Sequence, residues 1–250
     1  MTTLTVPARP AVRSGGPSPV SAVGLEIRKS LSTRSGKSVA FAAAALTPAI
    51  AAMLSLTGEP LDEVRGPIAA LGMVTGLILI TLGVLATATE WSHRTAETTF
   101  LLEPRRGRVV LAKYVAVAVM GAVIAAVAAA ATAAVLYVVP GVGDPSWAGA
   151  SLAIGISIAA GAAFAVIGAG VGAAFANTPA ALTGLYLTIL GAMPALRIWK
   201  PEVADALDPS NATLQLATGD GTTAHALTMV GWVVVTAVAG VVLTRRRAVS

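Results

Sequence analysis

Long apolar segments alternate with short polar segments along this chain. Six apolar segments contain no Asp, Glu, Lys or Arg. An α-helix rises 1.5 Å per residue, so even the shortest covers about 27 Å, close to the roughly 30 Å hydrocarbon core of a bilayer. The pattern therefore predicts an all-α, polytopic membrane protein with six transmembrane helices. The predicted spans are residues 38–56, 67–89, 114–139, 151–175, 179–196 and 225–244.

Composition favours the same class. The chain is 56% hydrophobic and only 12% charged, and its mean hydropathy is +0.80. Soluble domains carry roughly 25% charged residues. Cysteine is absent, which excludes a disulfide framework, a thiol nucleophile and a thiolate metal site.

Two segments precede the first span. Residues 1–19 are rich in Pro and Gly and are predicted to be a disordered cytoplasmic tail. Residues 20–35 carry apolar side chains at helical spacing, with basic side chains turned away from them. This favours an interfacial amphipathic helix, which we call the elbow helix, although an irregular basic lead-in also fits. The apolar positions are Val20, Val23, Ile27 and Leu31, and the basic ones are Arg28 and Lys29.

Basic residues predict the orientation. With six spans, the N-terminus, the 90–113 loop, the turn at 176–178 and the C-terminus share one side. That side carries fourteen of the 17 Lys and Arg residues. Cytoplasmic loops carry an excess of Lys and Arg, so both termini are predicted to be cytoplasmic.

The apolar spans favour a transport protein driven by a partner. Ion-coupled transporters keep ionisable groups at membrane depth, and none is present within the predicted spans. The sequence RSGKS imitates the end of a phosphate-binding loop, but Leu31 stands where that motif requires its first Gly. We therefore predict that the chain is not an enzyme and that energy enters through a cytoplasmic partner.

The polar segment 90–113 carries both charge signs between the second and third spans. Ala96, Phe100 and Leu101 form a short apolar stripe, and Pro104 ends it. A helix of this kind can dock a partner through apolar contact and ion pairs. A solvated loop whose arginines only anchor the topology fits the spacing equally well.

The same segment resembles a signature of membrane permeases of type-2 export ABC transporters, especially actinobacterial ones. The likeness covers the segment after the second span and the layout of six spans with an N-terminal amphipathic helix. Many relatives have Arg-His-Gly-Thr, whereas here Ser92 precedes His93, Arg94 and Thr95, without the Gly. The similarity rests on Glu90, Trp91, His93, Arg94, Thr95, Thr99, Leu101, Leu102, Pro104, Arg106, Ala112 and Lys113.

This resemblance implies a permease in a bacterial plasma membrane, acting as a dimer with two separate ATP-binding cassette subunits. ATP and Mg²⁺ would be bound by those subunits and no cofactor by this chain. Export is implied by the resemblance alone, and a second, related permease could replace the identical copy. The implied elbow-helix contacts are Ile27, Arg28, Lys29 and Leu31, and the implied coupling residues are Glu90, Arg94, Thr95, Glu97, Phe100, Pro104, Arg105, Arg106 and Lys113.

Small residues crowd the fourth span. Gly168 and Gly172 are spaced so that another helix can approach closely. Packing within the chain and a homodimer seam both fit this pattern. No metal site is predicted.

A different class of function stays open, namely a non-transporting membrane sensor or scaffold that needs no ATPase. The substrate also stays open. Thr75, Thr81, Thr132, Ser157 and Thr188 could line a path, or could bond to their own helix backbone.

Overall fold

The computed structural model describes residues 18–58, 60–92, 106–139 and 144–247. Within these ranges the chain forms nine helices, α1 to α9, and no strand. One isolated β-bridge joins Glu63 to Ser146. The helices are α1 Pro19–Ser32, α2 Arg34–Leu56, α3 Arg65–Ser92, α4 Arg106–Val138, α5 Ala150–Phe175, α6 Thr178–Trp199, α7 Pro201–Leu207, α8 Pro209–Thr218 and α9 Thr223–Arg246.

Six of these helices, α2 to α6 and α9, are long and apolar enough to cross a membrane. The predicted all-α fold with six spans is therefore confirmed. The helices run beyond the predicted spans at most ends. In particular, α3 continues through Glu90 and α4 already contains Lys113.

The centre of the bundle is the contact between α3 and α5, the most extensive between any two helices described. Glycines allow the two backbones to meet. A Cβ added at Gly168 would overlap the carbonyl oxygen of Ile80, and one at Gly172 would overlap Thr87 Oγ1. Both predicted packing glycines therefore lie against α3 of the same chain. Dispersion between closely packed backbones stabilises such contacts in a membrane.

Thr75 and Ser157, two hydroxyl side chains inside the bundle, bond to carbonyls of their own helices. Thr75 donates to the carbonyl of Leu71 at 3.1 Å and lies 3.1 Å from Thr47 Oγ1. Ser157 donates to Ala153 at 2.7 Å. Thr75 and Ser157 are almost completely buried, so they satisfy their own helices and do not line an open path.

The helix α6 changes its winding near its middle. Residues Leu187–Ala192 form a π-helical segment, and Pro194 follows it. Proline has no backbone N–H to donate to the preceding turn, so the local ladder must rearrange. Before this segment, Tyr186 donates to the carbonyl of Leu77 at 2.9 Å and fastens α6 to α3.

At one end of the bundle, α7 and α8 fold back over α3, α5 and α9. Trp232 donates from Nε1 to the carbonyl of Leu207 at 2.7 Å. Arg197 forms ion pairs with Asp208 at 3.1 Å and Asp205 at 3.3 Å, and its guanidinium lies 3.4 Å from Asn211 Oδ1. We call these four residues the Arg197 cluster.

At the other end, α1 meets the end of α3 and the beginning of α4, and the ends of α5 and α9 lie together beside the end of α3. We call this the charged end. Arg247 donates to the carbonyls of Ala173, at 2.6 Å, and Ala174, and its guanidinium lies 5.2 Å from the Trp91 ring centre. Burial lowers the pKa of Arg247 from its usual value. The first and last helices of the described chain thus end on the same side of the bundle.

Candidate functional site

Four charged side chains meet at the charged end. Lys113 Nζ lies 2.5 Å from Glu26 Oε2 and 2.6 Å from Glu90 Oε1. Lys29 donates a further hydrogen bond to the same Glu90 oxygen. Glu26, Lys29, Glu90 and Lys113 are called the buried charge network below.

Three members of the network are largely withdrawn from solvent. Glu26, Glu90 and Lys113 are 8%, 7% and 5% exposed. Lys29 is at the rim, with 43% of its side chain exposed. Removing a charge from water costs several kcal/mol, and opposite charges offset that cost only in good hydrogen-bond geometry. The network therefore holds its helices in one arrangement.

The network joins elements that are far apart in the sequence. Glu26 lies in the middle of α1, Glu90 near the end of α3 and Lys113 in the second turn of α4. Residues 93–105, between α3 and α4, lie outside the described residues. The network thus ties α1 to both helices that enclose this polar segment.

Apolar packing positions α1 for these bonds. Ile27 and Leu31 pack against a core cluster that includes Val110 and Tyr114 of α4. The ion pairs therefore form above an apolar contact that already sets the spacing between the helices. This arrangement excludes water from Lys113 and strengthens its attraction to the two carboxylates.

A tight junction fixes the direction of α1. Thr33 alone separates α1 from α2, in an extended conformation, and its hydroxyl accepts from Gly36 N at 3.0 Å. A Cβ at Gly36 would overlap the carbonyl oxygen of Ser30. The elbow can close only because position 36 has no side chain.

The structure places the predicted residues of α1 in different environments. Lys29 reaches the buried carboxylate of Glu90 at the end of α3, and 43% of its side chain stays exposed. Val20, assigned to the apolar stripe, is largely exposed, whereas Ile27 and Leu31 are packed against the core. Glu26 was not predicted as a site residue. The signal available in the sequence was an isolated acidic residue between the apolar residues Val23 and Ile27, on the packed face of the helix.

Glu90 and Lys113 bound the polar segment of the sequence, next to the second and third predicted spans. Both are helical, in α3 and α4, since each neutralises the other and allows the helices to continue past the apolar segments. Arg106 begins α4. The remaining predicted coupling residues lie outside the described residues: Arg94, Thr95, Glu97, Phe100, Pro104 and Arg105.

The ion pairs of this site are better suited to holding helices together than to catalysis. Both carboxylates accept from ammonium groups, so neither is a free base in this arrangement. In the part of the chain that the structure describes, no three His, Asp or Glu side chains are grouped to hold a metal ion. Comparison of the chain with known protein families and with curated proteins finds no match.

Proposed function

We propose that this chain is the membrane-spanning permease subunit of an ATP-driven transporter of the type-2 export ABC class. Two copies would form the substrate pathway, and separate subunits would bind ATP and Mg²⁺. In this proposal the charged end faces the cytoplasm of a bacterial cell, in agreement with the distribution of Lys and Arg.

The buried charge network is the observation that carries this proposal. A partner that pushes on residues 93–105 would displace the ends of α3 and α4. Because Lys113 bonds to carboxylates on α1 and α3, α1 must move with them or break an ion pair in a water-poor site. Such a joint movement transmits a mechanical signal from a peripheral subunit into the membrane.

The distribution of ionisable residues supports an external energy source. In the six candidate spans Asp, Glu, Lys, Arg and His lie only in the first two or last two turns, and the turns between them carry none of these residues. A proton or ion relay normally requires ionisable groups across the membrane depth. ATP hydrolysis on a bound subunit supplies the energy without them.

The test is co-purification with a candidate ATP-binding cassette subunit from the same organism, followed by an ATP hydrolysis assay. Exchanging Arg105 and Arg106 for Glu is expected to weaken the complex and to lower hydrolysis. Lys200→Glu, a charge reversal at an exposed position of the opposite end, should leave both unchanged.

A second variant tests the network itself. Glu26→Gln keeps the shape of the side chain and removes its charge, so the complex should still assemble while stimulated hydrolysis falls. A chain that purifies alone and never changes ATPase activity would overturn the transporter proposal and favour a sensor or scaffold.

A further inference from the structure

A cavity of about 270 Å³ lies between α1, α2 and α3, directly beside the buried charge network. A single water needs only roughly 10–15 Å³ of such space, so the cavity admits a group of many atoms. Glu26 and Glu90 form part of its wall, and each already accepts from a lysine.

The cavity is at the level where the apolar spans end. It is bordered by the first turn of α2, which begins at Arg34, and by the last turns of α3, whose span ends at Trp91. In a bilayer this is the boundary between the acyl chains and the headgroups.

Its walls have two different chemistries. Leu82, Leu85 and Ala86 of α3 form an apolar side. Lys29, Ser30 and Ser35 contribute to a polar side. An amphipathic occupant matches this division, whereas a free ion would leave the apolar wall uncovered.

The polar side favours a negatively charged group. In the part of the chain that the structure describes, the hydroxyls of Ser30 and Ser35 make no hydrogen bond, and Lys29 remains partly exposed although it pairs with Glu90. Among the first N–H groups of α2, those of Gly36 and Lys37 bond to Thr33, whereas those of Arg34 and Ser35 have no acceptor within the helix. Arg28, Arg34 and Lys37 are exposed on α1 and the first turn of α2, and they add positive charge to this region.

We propose that this cavity binds a membrane glycerophospholipid. Its phosphate would accept hydrogen bonds from Lys29, Ser30 and Ser35, and one acyl chain would lie along Leu82, Leu85 and Ala86. The bound lipid fills the cavity between α1 and α3. It thereby keeps α1 in the position that the buried charge network requires. This binding requires no ATPase and is independent of the transporter proposal.

The experiment measures lipid binding by the delipidated, full-length chain in detergent, using native mass spectrometry. Phosphatidylglycerol is compared with diacylglycerol, which has the same acyl chains and no phosphate. Loss of hydrogen bonds to a charged group is expected to weaken diacylglycerol binding by about tenfold or more. Equal binding of the two lipids would overturn the proposal.

Two variants locate the site. Ser35→Glu places a carboxylate at the phosphate position and should weaken phosphatidylglycerol binding by about tenfold. Its acidic side chain suits the first turn of α2, so the fold should be preserved. Ser32→Glu is the matched control, because Ser32 is exposed on α1 and does not line the cavity. Equal effects of the two substitutions would refute the location.

If Ser35→Glu does not fold, Ala86→Leu provides a second test, since it fills the apolar side without changing charge. It should also weaken phosphatidylglycerol binding. A soluble competitor, sn-glycerol 3-phosphate, distinguishes the source of the phosphate. We expect no displacement at millimolar concentration, and displacement of the lipid would show that the site takes a soluble phosphate ester instead.

Discussion

Both ends of the bundle carry ion pairs, but the pairs at the two ends stabilise different levels of structure. At the charged end, Lys113 bonds to carboxylates on α1 and α3, so its partners come from separate helices. At the opposite end, the Arg197 cluster lies within one short stretch of chain, from the end of α6 to the beginning of α8. The first arrangement fixes tertiary structure, and the second shapes a local turn.

Burial adds to this difference. Lys113 and its two partners are nearly inaccessible to solvent, whereas 40% of the Arg197 side chain is exposed. Exposed ion pairs contribute about 0–1 kcal/mol, but removing one member of a buried pair costs about 3–5 kcal/mol. The charged end should therefore respond much more strongly to a single substitution.

Lys113→Met should give the largest effect. It preserves the length and packing of the side chain but leaves the Glu26 and Glu90 carboxylates buried near each other. The free energy of unfolding should fall by about 3–5 kcal/mol. A thermal unfolding curve in detergent, followed by tryptophan fluorescence, measures the loss. The matched control is Lys37→Met, at an exposed position of α2, and equal melting temperatures would contradict a structural role for the network.

Asp208→Ala should have an intermediate effect. Asp208 is largely buried, pairs with Arg197 and caps α8 by accepting from Ser210 N at 2.8 Å and Asn211 N at 3.3 Å. Loss of an N-cap typically costs about 0.5–2 kcal/mol. Hydrogen exchange should increase mainly in α8, while the amides at the charged end keep their protection. Faster exchange throughout the chain would mean that this cluster also supports the whole bundle.

Asp205→Ala should have the smallest effect. Asp205 pairs with the same guanidinium as Asp208, but 52% of its side chain is exposed. Its removal should lower stability by about 0.2–1 kcal/mol, and by less in high salt. Both variants are compared in the tryptophan-fluorescence unfolding assay, where Asp208→Ala should lose more because it removes a buried partner of Arg197 and an N-cap. A loss for Asp205→Ala as large as that for Asp208→Ala would contradict this order.

The sequence predicted the six spans because each depends only on the length of a continuous apolar segment. It also singled out Gly168 and Gly172 for close packing, and both meet the α3 backbone. Their partner residues could not be derived, because the same small-residue pattern suits contacts within or between chains.

The buried charge network could not be predicted from the sequence, for a different reason. Glu26 and Lys113 are separated by 87 positions, and Lys29 and Glu90 by 61. Each residue alone is typical of a polar boundary next to a membrane span. Only the packing of α1 against α4 brings them together, and pairing distant charges requires that tertiary contact.

The long separation between Glu26 and Lys113 has a consequence for biosynthesis. At about 5–20 residues per second, the ribosome adds Lys113 several seconds after Glu26. During that interval α1 has no ammonium on α4 to bind, and Glu26 remains hydrated. The elbow helix can therefore reach its final position only after the beginning of α4 has been synthesised, so its docking follows the synthesis of the first two spans.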